Sequence, residues 1–419
     1  MSLSVEPGSR SEARAGEQAL TGLRVVELGG FAAGPAVGKH LADHGAEVIR
    51  VESRHRLDGF RTNYPPFKDG RPGVERAGLF ALTNDNKLSV TLNLKVNLGL
   101  QVARRLIAGA DVLIENFTPG VMARLGLGDE ELRAENPGLV MLSTCNHGQT
   151  GPHAGQGGFG THLTALGGFI HLTGWPDRDP ALLFGPYIDY IAVGYGACAV
   201  LAALDRRRRT GLGCYVDLSQ YETGLQFVAP ALLVYFATGR VAERCGNRHP
   251  ACAPHGVYPC RGQERWVAIS VHDDAEWERF RAALGDPPWA RRPGFGTAEG
   301  RKASDVELDG NVAAWTRALD REQIVRRLRR ASVHAAPVND MGDLFSDPQL
   351  ESRQLWRPLE HVELGRHHAE GPPYLLSETP ARVHSPAPLL GEHNHRVFSD
   401  LLGLTEDEYA HCEADGAFE

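Results

Sequence analysis

The stretch from Leu23 to Glu52 constrains the fold of this chain more than any other. Leu23-Arg-Val-Val-Glu-Leu28 is apolar enough for a buried strand, and Gly29 to Pro35 is a tight turn of small residues. Ala36 to His44 follows as an amphipathic helix and Glu47 to Val51 as a second strand. Two buried strands joined through a helix make a βαβ unit, which commits the chain to a parallel sheet with right-handed crossovers. The rhythm continues downstream. Strands are predicted at Leu88–Leu94, Val112–Ile114, Leu139–Ser143 and Cys214–Leu218. Helices are predicted at Leu98–Ile107, Asp129–Glu135 and about Tyr190–Arg207.

A chain of 419 residues exceeds what one core fills, so two domains are expected. Residues 1–19 are polar and read as a disordered tail. The expected fold class is α/β, with a Rossmann-like large domain beginning at 20–225 and a smaller α+β domain at 245–340. The smaller domain opens with a hairpin, Val257 to Ser270, turning at Arg261–Glu264, and continues with helices at Ala275–Leu284 and Asn311–Arg330. Residues 341–419 read as an extended, proline-rich arm that returns to the large domain.

The net charge of −8 argues against a nucleic-acid partner. No apolar run reaches the ~18 residues of a membrane span, so no membrane partner is expected. Seven cysteines without a C-x-x-C pair point to free thiols in a reducing cytoplasm. Cys245, His249, Cys252, His255 and Cys260 cluster, but their spacing fits no common zinc pattern, and no metal is expected.

Three motifs carry chemistry, each beside a plainer reading. Gly29-Gly30 to Gly34-Pro35, with Glu52 ending the second strand, is the layout of a dinucleotide site. It lacks G-x-G-x-x-G, however, and Pro35 removes a backbone donor. Gly155–Gly160 has that pattern but lies far from a strand end. Arg206 to Arg209 reads first as cations at a helix C-terminus and second as a phosphate contact. Asp189 precedes a helix of Gly194, Gly196, Ala197 and Ala199. It is either an N-cap or a fixed, desolvated nucleophile with backbone donors nearby for an oxyanion.

Several segments, taken in order, resemble the class III CoA-transferases (CaiB/BaiF type, which includes formyl-CoA and carnitine CoA-transferases). They are Gly34-Pro35, Leu41 to Glu52, Asn86-Lys87, Ser89 to Lys95, Ala110 to Gly120, Asn136 to Leu139 and Gly148 to Pro152. Asp189, Thr210 to Gly213, Ala336 to Asn339 and Ala387 to His393 complete the series. The resemblance implies an interlocked homodimer in which the long arm threads around the partner. It also implies transfer of CoA from an acyl-CoA donor to a carboxylic acid acceptor, with Asp189 as nucleophile, through a mixed anhydride and an aspartyl-CoA thioester. CoA, as substrate, would meet Ala33, Leu92, Lys95, Asn116, Phe117 and Arg124. Leu88 and Ser53 stand where relatives carry basic residues, with Arg54 a possible substitute for the latter, and Gly160 where an acidic one is common. The sister activity, α-methylacyl-CoA racemase or another acyl-CoA isomerase, is the alternative. A racemase needs a histidine where this chain has Phe159, and His162 lies three positions on. Cys245 to Tyr258 resembles a subgroup that includes transferases of aromatic succinates. Tyr187, Tyr190 and Trp175 agree with bulky or aromatic substrates.

Overall fold

The computed structural model describes residues 17–419. Most of the tail expected over 1–19 therefore lies outside the described residues. The chain divides into two compact units. One holds the described residues up to Phe169 with Leu183–Ala237 and Arg353–Glu419, and the other holds Ile170–Leu182 with Thr238–Ser352.

The first unit is built on six parallel strands: β1 Arg24–Leu28, β2 Glu47–Glu52, β3 Lys87–Thr91, β4 Val112–Glu115, β5 Val140–Cys145 and β6 Cys214–Ser219. Their order across the sheet is β3-β2-β1-β4-β5-β6. β2, β4 and β5 are buried almost throughout, as strands covered on both faces must be, which explains their runs of Val, Ile and Leu. The order reverses between β1 and β4, and in such sheets ligands settle beyond the strand C-termini at that reversal.

The helix after β1 begins at Ala33, not Ala36. Pro35 sits in its first turn, where a missing N–H breaks no helical bond. The connection is thus shorter than the sequence suggested. In the stretch read as an extended arm, β10 Trp356–His361 and β11 Gly365–Glu370 pair antiparallel. The C-terminal Phe398 and Phe418 stack 4.6 Å apart in the core beside β3.

One expectation needs correction. The helix Tyr187–Thr210, 24 residues, is long and apolar enough by length and composition to cross a membrane. Its Gly and Ala residues hide this from a search for strongly apolar runs. Ile188, Ala192, Gly196, Ala197, Val200 and Ala203 form its buried face. A Cβ on Gly196 would stand 2.8 Å from Val37 Cγ2, so glycine is what allows this helix to pack so closely on the helix Ala33–Asp43.

The second unit has a three-stranded antiparallel sheet, β7 His255–Pro259, β8 Trp266–Ser270 and β9 His334–Val338. Helices Asp274–Ala283, Asp305–Arg317 and Arg321–Arg330 accompany it, around a core that includes Trp277, Phe280 and Phe295. The single helix expected at Asn311–Arg330 is two, parted at Ala318 to Asp320.

Candidate active site

Asp189 lies in the first turn of the helix Tyr187–Thr210, and Pro186, not Asp189, occupies the cap. Its backbone N–H donates to the Pro186 carbonyl at 3.1 Å, but no hydrogen bond or ion pair among the described residues engages its carboxylate. The capping role is therefore not filled by this side chain. The residue is half-buried, and burial pushes its carboxyl from the ordinary 3.8 up to about 7. The result is a desolvated carboxylate with no structural duty at the start of a helix.

Gly160 explains how that position is reached. A Cβ there would overlap Asp189 Oδ2 and Pro186 Cβ, so no side chain has room here. We expect Gly160→Ala to displace the carboxylate and lower kcat by at least ~100-fold, since a displacement of about 1 Å has that effect, and the overlap with Pro186 to lower the denaturation midpoint as well. Steady-state kinetics beside an unfolding curve checks this. The residue before Gly160 is Phe159, whose ring lies 5.7 Å from that of Phe31 in the turn after β1. Asp189 is thereby linked to the C-terminal edge of the sheet at its reversal point.

That edge is braced by a buried ion network. Arg50 is fully buried, with Nη1 2.6 Å from Glu27 Oε1, Nη2 bonded to Asp58 and Nε 3.7 Å from Glu52 Oε1. Burial alone would lower its pKa, but the carboxylates of Glu52, Asp58 and Glu27 outweigh this and hold it above the ordinary value. Lys87 donates to Glu27 at 2.8 Å, while burial pulls its own pKa down to about 8. Arg61 clasps Glu52 with two bonds of 2.9 Å. Asp58 then accepts the Phe31 N–H at 3.0 and 3.2 Å, which holds the β1 turn.

The network decides the dinucleotide reading. Glu52, the carboxylate placed for a ribose, is spent on Arg61, Arg50 and the Ser89 hydroxyl. The sequence signal was sound in position but silent on partners.

Of the residues carried over for CoA, Asn116 is the most tightly held. Its amide donates to the Gly30 carbonyl at 2.7 Å and accepts the Gly30 N–H at 3.0 Å, tying the β4 end to the β1 turn. A Cβ on Gly29 would overlap Asn116 Oδ1, and that glycine has φ +137°, so both space and backbone require it. Ala33 and Leu92 are buried, leaving chiefly backbone to offer a ligand. Phe117 is partly buried against the main core, and its N–H donates to Glu115 at 2.8 Å. Lys95 and Arg124 are exposed, follow β3 and β4, and have no carboxylate partner among the described residues. Arg54, after β2, is likewise exposed and unpaired, whereas Ser53 bonds the Glu419 carbonyl at 3.2 Å and Leu88 packs into the core. Three cations free of carboxylate partners among the described residues thus follow the C-terminal ends of β2, β3 and β4.

The remaining basic motif takes its plainer reading. Arg206 donates to the Leu212 and Gly213 carbonyls, Arg207 pairs with Asp111 at 2.7 Å, and Arg208 and Arg209 pair with Asp205. His162, at the start of helix Gly160–Leu166, accepts the Phe159 N–H at its Nδ1, 3.2 Å away. Sequence reasoning missed Arg50, Arg61, Asp58 and Phe31; no local pattern marks them.

A family model described as CoA-transferase family III matches residues 20–394. The succinyl-CoA–D-citramalate CoA-transferase of Chloroflexus aurantiacus is 37% identical over 94% of this chain and 97% of its own length. The succinate–glutarate CoA-transferase of Agrobacterium fabrum is 33% identical over 91% of this chain and 95% of its own. The crystal structure of a CAIB/BAIF family protein from Brucella suis superposes with a TM-score of 0.84 at 32% identity, covering 92% of this chain and all of that one. Six parallel strands, the matched span and these relatives lead to one conclusion: the chain belongs to CoA-transferase family III and is an enzyme of that class.

Proposed function

We propose that this enzyme moves CoA from an acyl-CoA donor to a carboxylic acid acceptor with Asp189 as covalent nucleophile. The observation that carries this is the Asp189 carboxylate itself, desolvated and free of any bond among the described residues. One of its oxygens attacks the thioester carbonyl, and the C–S bond breaks to give a mixed anhydride and CoA thiolate. The thiolate attacks the aspartyl carbonyl, forming an aspartyl-CoA thioester and releasing the donor acid. The acceptor carboxylate attacks that thioester, and the thiolate then takes the new acyl group and frees Asp189. No proton is gained or lost over the cycle. Arg54, Lys95 and Arg124 are the groups we assign to the phosphates of CoA, with Asn116 holding the turn against which it lies. CoA serves as substrate, and no step calls for a metal.

Intact-protein mass spectrometry with succinyl-CoA, acetyl-CoA and phenylacetyl-CoA, followed by hydroxylamine trapping, tests the mechanism. A hydroxamate mapped to Asp189 supports it. Exchange of the α-proton with solvent and no adduct would instead favour a racemase or isomerase.

We also propose that the working form is a homodimer, with the arm interlocked around the partner. The helix Ala229–Thr238 has no buried residue, and Phe236 on it is 89% exposed beside Leu233 and Tyr235. With Tyr195 and Leu201 on the preceding long helix also exposed, these residues need cover in water, and a second copy supplies it. Leu233→Glu with Phe236→Glu is expected to yield monomers by sedimentation velocity and to cut activity at least ~10-fold. A dimer that persists unchanged would overturn this interface. All seven cysteines are free, in keeping with the cytoplasm as the proposed location.

A further inference from the structure

The turn after β1 carries a side chain that the ion network holds in place and that the transfer mechanism leaves unused. Phe31 has φ +61°, a conformation that costs a non-glycine residue free energy. Asp58 holds it there through the Phe31 N–H. Gly59 makes room for the ring, since a Cβ at that position would overlap it. So much support would be wasted on a ring that merely filled the core, yet Phe31 is 37% exposed. Its neighbours are Phe60 at 5.7 Å, Tyr64 at 6.2 Å and Phe159 at 5.7 Å, all edge-to-face. Phe159 is 53% exposed, and the next residue, Gly160, touches the Asp189 carboxylate.

We infer that Phe31 and Phe159 form an aromatic wall beside the nucleophile that selects a carboxylic acid bearing an apolar, ring-sized group. The inference rests on the transferase reading and adds the substrate class. A strained, clamped ring packed on the residue before Gly160 is suited to recognition, because strain persists only where the surroundings enforce it. Two rings meeting edge to face offer further faces to a third, and aromatic groups pack in that manner. No cation among the described residues pairs with Asp189. Two of the relatives are named for small dicarboxylic or hydroxy acids, so the aromatic wall would set the chain apart from them.

The test is exchange of an acyl-CoA with its own deuterated acid, which requires no knowledge of the second substrate. Phenylacetyl-CoA, acetyl-CoA and succinyl-CoA are compared in the full-length enzyme. We expect the native enzyme to favour phenylacetyl-CoA at least ~10-fold in kcat/KM over both others. Phe159→Ala, at a position with extended backbone, and Phe31→Gly, which relieves the strain, should each lower the phenylacetyl to acetyl ratio by ~10- to 100-fold. Phe159→Ala keeps the test decisive if the Phe31 variant does not fold. Faster exchange with succinyl-CoA, or a ratio unchanged in a folded variant, overturns the inference. So does a shift to monomers with all three rates falling together, which would make the rings a subunit contact. Trapping at Asp189 with every acyl-CoA but no preference overturns the substrate class alone. No exchange and no trapping with any of the three overturns the transferase reading and this inference with it.

Discussion

Asp189→Ala and Asp189→Asn are each expected to lower kcat at least ~10⁴-fold while leaving acyl-CoA binding within about threefold. Removing a covalent nucleophile eliminates the two easier steps that replace one difficult displacement. Isothermal titration with a non-transferable CoA thioether, beside turnover assays, separates the two quantities. Asparagine matches aspartate in shape, so its loss of rate isolates the charge and nucleophilicity of the carboxylate. In the native enzyme, burial of Asp189 raises its carboxyl to about 7, and kcat/KM should fall on the acid side of that value as the carboxylate protonates. The stability effect has the opposite sense. Because the folded value lies above the 3.8 of a free aspartate, the folded state binds the proton more tightly than the unfolded one. Stability contributed by that proton is full below about 4 and lost as pH rises to about 7. Asp189→Asn should therefore be more stable than the native protein at pH 8, by no more than ~4 kcal/mol, and the gain should shrink towards pH 5. Denaturant titrations at both values read this directly. Equal stability at pH 8 would mean that the carboxylate is not desolvated.

Arg50→Ala should cost the first unit about 3–5 kcal/mol, because it leaves Glu27, Asp58 and Glu52 buried without the cation they share. The large cost reflects uncompensated charge, not the net worth of the pairs. Arg50→Lys should recover only part of it, since an ammonium cannot address three carboxylates from one rigid fork. Activity should fall further than stability predicts at temperatures where the variant is still folded. Asp58, released from Arg50, no longer holds the Phe31 N–H, and the β1 turn loosens next to Asn116. Urea midpoints followed beside kcat/KM show whether the two losses separate. Parallel losses would confine the network to stability.

Much of this protein was legible before its coordinates. Runs of Val, Ile and Leu with turn residues between them marked β1, β2, β4 and β5, because hydrophobic alternation and continuity are local signals of burial. Pro35 misplaced the start of the helix after β1, since proline in a first turn looks like proline in a loop. The hairpin Trp356–His361 with Gly365–Glu370 was hidden among prolines and histidines, its strands lacking a clean apolar face. Ordered motifs pointed to Asp189, but the helix begins earlier than the sequence suggested and takes this residue into its first turn.

By itself, the sequence determined the class of fold, the family and the residue on which the chemistry is proposed to turn. These depend on patterns between neighbours along the chain. Only the tertiary structure decided what Glu52 does, why residue 160 is glycine and why Phe31 is held in a strained conformation. Each of those answers is a contact between segments far apart in sequence, made by side chains whose identity alone is compatible with several partners. A buried carboxylate reads the same whether it faces a ribose or an arginine. Its neighbour across the fold makes the difference, and that neighbour is chosen by packing.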